Sequence, residues 1–235
     1  MASQSQRMQT TETEASQDDL KKQERRQKRH LRTAFANGMM QGILSMLKPG
    51  DVVLDCGANI GDVAEPLAQT GATVIAFEPD PYAFGRLKKR LASYDNVMLH
   101  NAAVAVDSGT IQLMRTETFE DDPESGSVKS TIIKGGRKID ERDEASIDVA
   151  LLSLPQIIRD LVAEHGEIAL LKMDIEGAEL DLLEHFLAEG LFDPIRLTVA
   201  ETHENKFRDL RPRFAAMRNA VTEAYPITKV NLDWI

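Results

Sequence analysis

Val52-Val53-Leu54-Asp55-Cys56-Gly57-Ala58-Asn59-Ile60-Gly61-Asp62 is the stretch on which the fold turns. Val52 to Cys56 is apolar except for one acid and reads as a strand buried on both faces, as strands of parallel sheets are. The glycines that follow mark a tight turn opening a helix. A second apolar run, Ala72-Thr73-Val74-Ile75-Ala76-Phe77, ends on Glu78, 23 residues after Asp55. Strand, glycine turn, helix, strand, acid is the spacing with which an α/β sheet holds a nucleoside cofactor. The glycines let backbone approach the ligand, and the acid accepts hydrogen bonds from ribose hydroxyls.

The turn also discriminates among nucleosides. A dinucleotide site wants G-x-G-x-x-G, so that a pyrophosphate sits against the helix N-terminus. Here the order is Asp55-x-Gly57-x-x-x-Gly61, with Asn59 where another glycine would stand. An acid at the strand end repels a pyrophosphate and suits the ammonium of a methionine moiety. The turn resembles motif I of S-adenosylmethionine-dependent methyltransferases. The bland alternative is a strand–turn–helix corner that binds nothing.

Composition sets bounds. The 235 residues suit one α/β domain plus an appendage, and 42% hydrophobic with 28% charged residues is ordinary for a globular chain. No apolar run approaches the ~18 residues of a membrane helix. The polar N-terminus has no signal-peptide core, and a single cysteine forbids an internal disulfide, so a cytoplasmic location is the expectation. A net charge of −10 speaks against a nucleic-acid partner. Residues 1–35 nevertheless carry eight basic side chains against five acidic ones. Such a run touches an anionic partner or, more commonly, is a solvated helix face.

Along the chain, residues 1–16 have little to bury and are expected to be a disordered tail. Residues 17–48 form an N-terminal helical extension, with Met39, Met40, Ile43, Leu44 and Leu47 at helical spacing and a stop at Pro49-Gly50. This helix is the expected route to any oligomer, or a cap over the site. Residues 49–235 are the catalytic domain. Within them 115–146 is an acidic, then Ser/Gly-rich insertion, in which Ser127, Ser130 and Thr131 suit either a substrate-covering loop or plain surface. Further strands are expected at 97–100, 110–114 (after a hairpin-type turn at Ser108-Gly109), 168–173, 195–200 and 227–232. Helices fall between them.

A second constellation follows the strand at 168–173: Asp174-Ile175-Glu176-Gly177-Ala178-Glu179, then Glu201-Thr202-His203 after 195–200. Ligands of an open parallel sheet bind outside the strands' carboxyl ends. Asp55, Glu78, Asp174, Glu176, Glu201 and His203 should therefore converge on one cleft. Lys172 shares a strand face with Asp174 and is expected to pair with an acid.

Residues 52–204 resemble the FkbM family of methyltransferases. The resemblance rests on Val53-Leu54-Asp55-Cys56-Gly57-Ala58-Asn59-Ile60-Gly61, Ala76-Phe77-Glu78-Pro79, Asn101-Ala102-Ala103-Val104, Leu171-Lys172-Met173-Asp174-Ile175-Glu176-Gly177-Ala178-Glu179 and Ala200-Glu201-Thr202-His203, in that order. It implies an α/β, Rossmann-like, seven-strand-type methyltransferase sheet, mostly parallel, with helices on both faces. It also implies methyl transfer to an oxygen of a small molecule or glycan. The chain departs at its end, where one closing strand is legible instead of two. On this reading S-adenosylmethionine is held by Asp55, Gly57, Asn59, Gly61, Glu78, Asn101 and Asp174. Asp174, Glu176, Glu201 and His203 are the catalytic candidates, with His203 as base because imidazole titrates near neutrality. The acids have the chemistry to bind a divalent metal, but no metal is assigned. The competing readings are a nicotinamide-dependent oxidoreductase on a Rossmann fold, disfavoured by Asn59, and a non-catalytic cofactor-binding domain.

Overall fold

The computed structural model describes residues 33–116 and 146–234 continuously, and residues 23, 26–28, 30, 31, 119, 121, 123–127, 130–135 and 139 besides. The expected tail at 1–16 lies outside the described residues. The chain divides into two units, 1–45 and 46–234. Helix α1 is helical at every described residue from 23 onward and ends at residue 46, where the second unit begins.

The second unit is built on a six-stranded sheet. Its strands are β1 (Val52–Cys56), β2 (Thr73–Phe77), β3 (Val97–His100), β7 (Ile168–Met173), β8 (Ile195–Ala200) and β9 (Val230–Asn231), in the order β3-β2-β1-β7-β8-β9. Every pairing is parallel. Helices α2 (Ala64–Gln69), α3 (Pro81–Arg90), α6 (Glu179–Glu189) and α7 (Arg211–Ala224) make the crossovers that parallel neighbours require. The whole of β1 and β7 is buried, which is why their sequences read as continuous apolar runs. Leu54, Leu171, Leu183 and Phe186 lie in one core cluster, and each contributes about 1.5–3 kcal/mol by leaving water. The fold is thus the mostly parallel α/β sheet with crossover helices that the sequence implies, with six strands in the main sheet. Among the described residues after α7, the two-residue β9 forms the edge beside β8.

A second sheet was not legible. Strands β4 (Ala103–Ala105), β5 (Gly109–Met114) and β6 (Ser146–Ser153) pair in the order β4-β6-β5, parallel on one side and antiparallel on the other. The expected hairpin at Ser108-Gly109 therefore corrects to a split pair, with β6 inserted between its two arms. Helix α5 (Leu154–His165) packs against both β4 and β7 and so joins the two sheets. Within the described part of the 115–146 insertion, α4 (Pro123–Ser127) is the single helical piece.

Local chemistry explains the helix starts near the site. Asp80 caps α3 by accepting from Tyr82 N at 2.8 Å, with Pro81 in the first turn. Its other oxygen takes Arg115 Nε at 3.0 Å, and the Arg115 guanidinium lies 3.9 Å over the Phe119 ring. At the opposite, amino ends of the strands Arg196 bridges Asp51 and Glu167. That contact holds the Asp51 carboxyl below its usual range. These amino-end charges fasten strands together. The acids of interest gather at the carboxyl ends.

Candidate active site

The strand order reverses between β1 and β7, which leaves a crevice at their carboxyl ends. A cavity of about 590 Å³ occupies it, a volume normal for a ligand site. One wall is the turn Gly57–Ile60 with Asp62 and Val63. Phe77, Glu78 and Pro79 form a second, and Lys172, Asp174, Ile175, Glu176 and Ala178 a third. The second sheet and the insertion supply the remainder through Ala102, Ala103, Val104, Leu113, Ser127, Ser130, Thr131 and Ile132. Of these, Ser127, Ser130 and Thr131 are the loop candidates read from sequence, Ala102, Ala103 and Val104 belong to a motif that carries the family resemblance, and Leu113 and Ile132 carry no sequence signal of a site. All three loop candidates are buried.

Glu78 is buried, and its two oxygens accept from Asn59 N at 2.9 Å and Asp80 N at 2.8 Å. Burial pushes its carboxyl up to about 7, against the pull of those two N–H groups. Asn59 sits at φ +48, a left-handed conformation that asparagine tolerates because its side chain bonds locally. Here Asn59 Oδ1 accepts from Ile60 N at 2.7 Å. The asparagine that broke the dinucleotide pattern is thus the hinge by which the turn reaches Glu78.

Several predicted residues lie elsewhere than expected. Asp55 does not line the cavity. It is fully buried, with Lys172 Nζ 3.1 Å from Oδ1, and neither oxygen receives an aligned hydrogen bond. Lys172 also donates to Gly57 O at 2.7 Å. Burial works against the Lys172 ammonium, but the Asp55 and Asp174 charges outweigh it and hold its pKa above the ordinary value. Gly61 packs on α3, where an added Cβ would stand 2.9 Å from Leu87 Cδ1. Asn101 donates to Glu78 O and Pro79 O at 2.8 and 3.0 Å, bracing the loop behind the wall. Glu201 is not part of the lining of this cavity, and its N–H goes to Met173 O. Gly57 does line the cavity, yet the closest demand on it comes from protein. With φ +80, a Cβ there would lie 1.8 Å from Asp174 O.

The loop after β7 is the most constrained element. Glu176 sits at φ +57, an uncommon conformation for a residue that is neither glycine nor asparagine. It is held by Thr131 Oγ1 donating to its carbonyl at 2.7 Å and Lys206 Nζ to its carboxylate at 2.8 Å. Gly177 at φ +115 abuts Phe207, with an added Cβ falling 2.1 Å from ring atom Cε2. Gly177→Ala is expected to lower stability by about 1–3 kcal/mol through overpacking, with the backbone conformation adding to it. A denaturation midpoint unchanged from wild type would reject this reading.

His203 enters this loop from the end of β8. Its Nδ1 is 3.1 Å from Glu179 Oε1, and its Nε2 is 3.7 Å from Asp174 Oδ1 and 3.5 Å from Glu176 Oε2. Burial disfavours the charged ring. The Glu179 hydrogen bond and the charges of Glu179, Glu176 and Asp174 outweigh burial and raise its pKa to about 9. The ring thus titrates above the unperturbed value from which its choice as base was argued. Donor atoms of Asp174, Glu176 and His203 lie within 4.8 Å of one another, close enough to share one cation. Both acids already face an ammonium of the chain, Lys172 at 4.0 Å and Lys206 at 2.8 Å. Cys56 is buried, and burial pushes its thiol up, so it is core filler.

Comparison with known proteins agrees with this geometry. The profile of the Methyltransferase FkbM domain matches residues 55–225. The chain is 32% identical over 187 residues to the 31-O-demethyl-FK506 methyltransferase FkbM of Streptomyces tacrolimicus, covering 67% of this chain and 67% of that protein. It is 28% identical over 146 residues to the 2-O-methyltransferase NoeI of Sinorhizobium fredii, covering 60% of each. A shorter match, 43% identical over 86 residues, joins 35% of this chain to 33% of the ribosomal RNA small subunit methyltransferase A of Thermotoga neapolitana.

Proposed function

Because this chain belongs to the methyltransferase FkbM domain family, we propose that it methylates a hydroxyl oxygen of a small-molecule or glycan acceptor. The family makes it an S-adenosylmethionine-dependent methyltransferase, and the nicotinamide alternative falls with that. The hydroxyl acceptor is the inference. The observation that carries it is His203 Nε2, which lies behind the cavity lining and faces two acids that do line it, Asp174 and Glu176. An alcohol must lose a proton as it is methylated, and this cluster is built to receive one. Two relatives that are O-methyltransferases by name support the same acceptor class. The ribosomal RNA match spans only 35% of the chain, and a net charge of −10 is unsuited to an RNA acceptor.

The residues present fit the cofactor. Glu78 spends one lone pair per oxygen on backbone N–H groups. A carboxylate has roughly four acceptor positions, so two remain for ribose hydroxyls. The Gly57–Ile60 turn and the start of the Asp174 loop, which line the same cavity, would hold the methionine end. When bound, S-adenosylmethionine supplies an electrophilic methyl group. The protein's share is to hold the acceptor oxygen at near-attack distance and keep water out. Asp174 and Glu176 orient the acceptor, and neutral His203 takes its proton at Nε2.

Two measurements test this. Glu78→Ala should weaken S-adenosylhomocysteine by about 3 kcal/mol, or roughly 100-fold, by removing two hydrogen bonds to a charged acceptor. In the wild type that affinity should fall as pH drops below about 7, because the neutral carboxyl no longer accepts as well. In Glu78→Gln this dependence should vanish. Unchanged affinity in Glu78→Ala would remove Glu78 from the cofactor site. For the acceptor, labelled methyl transfer should be detected with hydroxylated macrocycles or oligosaccharides. Label entering only RNA would reject the proposal.

A further inference from the structure

We infer that Glu179 is the positioning residue that fixes the tautomer of His203, holding the proton on Nδ1 and leaving Nε2 as the proton-accepting atom. The inference rests on the reading of His203 as base. Glu179 is the first residue of α6 and is fully buried. Oε1 accepts from Ile175 N at 2.7 Å and Oε2 from Gly177 N at 2.8 Å. Both donors lie in the loop that precedes α6, and the carboxylate keeps acceptor positions beyond those two. A third bond crosses to another strand end, where His203 Nδ1 lies 3.1 Å from Oε1.

The hydrogen-bond bookkeeping decides the tautomer. A carboxylate accepts and has no proton to give, so a ring nitrogen in contact with it must be the donor. Nδ1 therefore carries a hydrogen in both charge states of the ring. In the neutral ring the lone pair is left on Nε2. Its two carboxylate neighbours stand at 3.7 and 3.5 Å, outside the usual hydrogen-bond range, so neither one fixes a proton on Nε2. The charged groups around the ring are Glu179 from α6, Asp174 and Glu176 from the loop after β7, and Lys206 through Glu176. Among them Glu179 alone meets Nδ1. It joins the loop that carries Asp174 and Glu176 to the strand end that carries His203. The base and the acids it works between are thus set by one buried carboxylate.

The test is imidazole nitrogen NMR on the full chain with labelled histidine, with the His203 signals assigned by their loss in His203→Gln. Above the titration of the ring, the wild type should show Nδ1–H and a bare Nε2. Glu179→Met, which leaves no acceptor at Nδ1, should lose that tautomer, and in Glu179→Gln, whose amide oxygen still accepts from Nδ1–H, the ring's titration midpoint should fall by about one to three pH units, as when an adjacent opposite charge is removed. S-adenosylhomocysteine titration of the same variants reports whether the cofactor wall is intact. If Glu179→Met does not fold, the wild-type spectrum decides alone, and a neutral ring protonated on Nε2 overturns the inference. So does a folded Glu179→Met whose His203 keeps that tautomer. Failure of the underlying reading looks different: methyl transfer would survive His203→Ala while the wild-type tautomer stayed as described.

Discussion

Lys172→Met is expected to cost about 3–5 kcal/mol of folding stability, the range for removing one partner of a buried ion pair. Lys172 and Asp55 are 3% and 0% exposed, and the ammonium is 3.1 Å from Asp55 Oδ1. The Asp55 oxygens have no aligned hydrogen bond to fall back on. Without Lys172 a bare carboxylate would sit between two central strands, in register with the position of the missing charge. The Gly57 carbonyl would lose its donor as well. Chemical denaturation measures the loss. The double variant Lys172→Met/Asp55→Leu should recover most of it, since an apolar pair needs no solvation. A single-variant loss below about 1 kcal/mol would mean that water or backbone reaches Asp55, contrary to its burial.

His203→Ala is expected to lower kcat by about 10²–10⁴-fold, the contribution of a positioned general base, with S-adenosylhomocysteine affinity little changed. The wild-type pH profile carries the sharper statement. A protonated imidazole cannot accept a proton, and the surrounding acids raise the His203 pKa to about 9. The value of kcat/KM should therefore climb with pH, about tenfold per unit, and level off near pH 9. The same shift bears on stability in the opposite sense. The charged ring stabilises the fold in full below its unfolded value of about 6.5, and this stabilisation is lost as pH rises through about 9. Activity and stability should thus diverge above neutrality. A flat rate profile from pH 6 to 9 would transfer the base role to Asp174 or Glu176.

Much of this molecule is legible along the chain. The apolar runs of β1, β2, β7 and β8 announce themselves because strands buried on both faces admit little else. The turn at Gly57 and the acids closing each run stand out for the same reason, polar groups placed where the sheet stops. Strand β6 was missed, although Ser146-Ile147-Asp148-Val149 begins with the alternation of a half-buried strand. It lies at the end of a long polar insertion, and that context hid the period. With β6 went the pairing of β4 and β5, and so the whole apolar side of the cavity built by Ala103, Val104 and Leu113.

The site divides the same way. Sequence alone determined which acids stand at strand ends, that they belong to a nucleoside-binding sheet, and which family the motifs resemble. These are local properties of runs and turns, each decided within about ten residues. Only the tertiary structure decided which acids meet. It withdrew Asp55 behind Lys172, left Glu201 off the cavity, and made Gly57 answer to the Asp174 carbonyl. It also joined Glu179 to His203 across 24 residues and Gly57 to Lys172 across 115. Such contacts depend on the order in which crossovers lay strands side by side. No local pattern encodes that order, because each strand buries its apolar faces equally well beside any parallel neighbour.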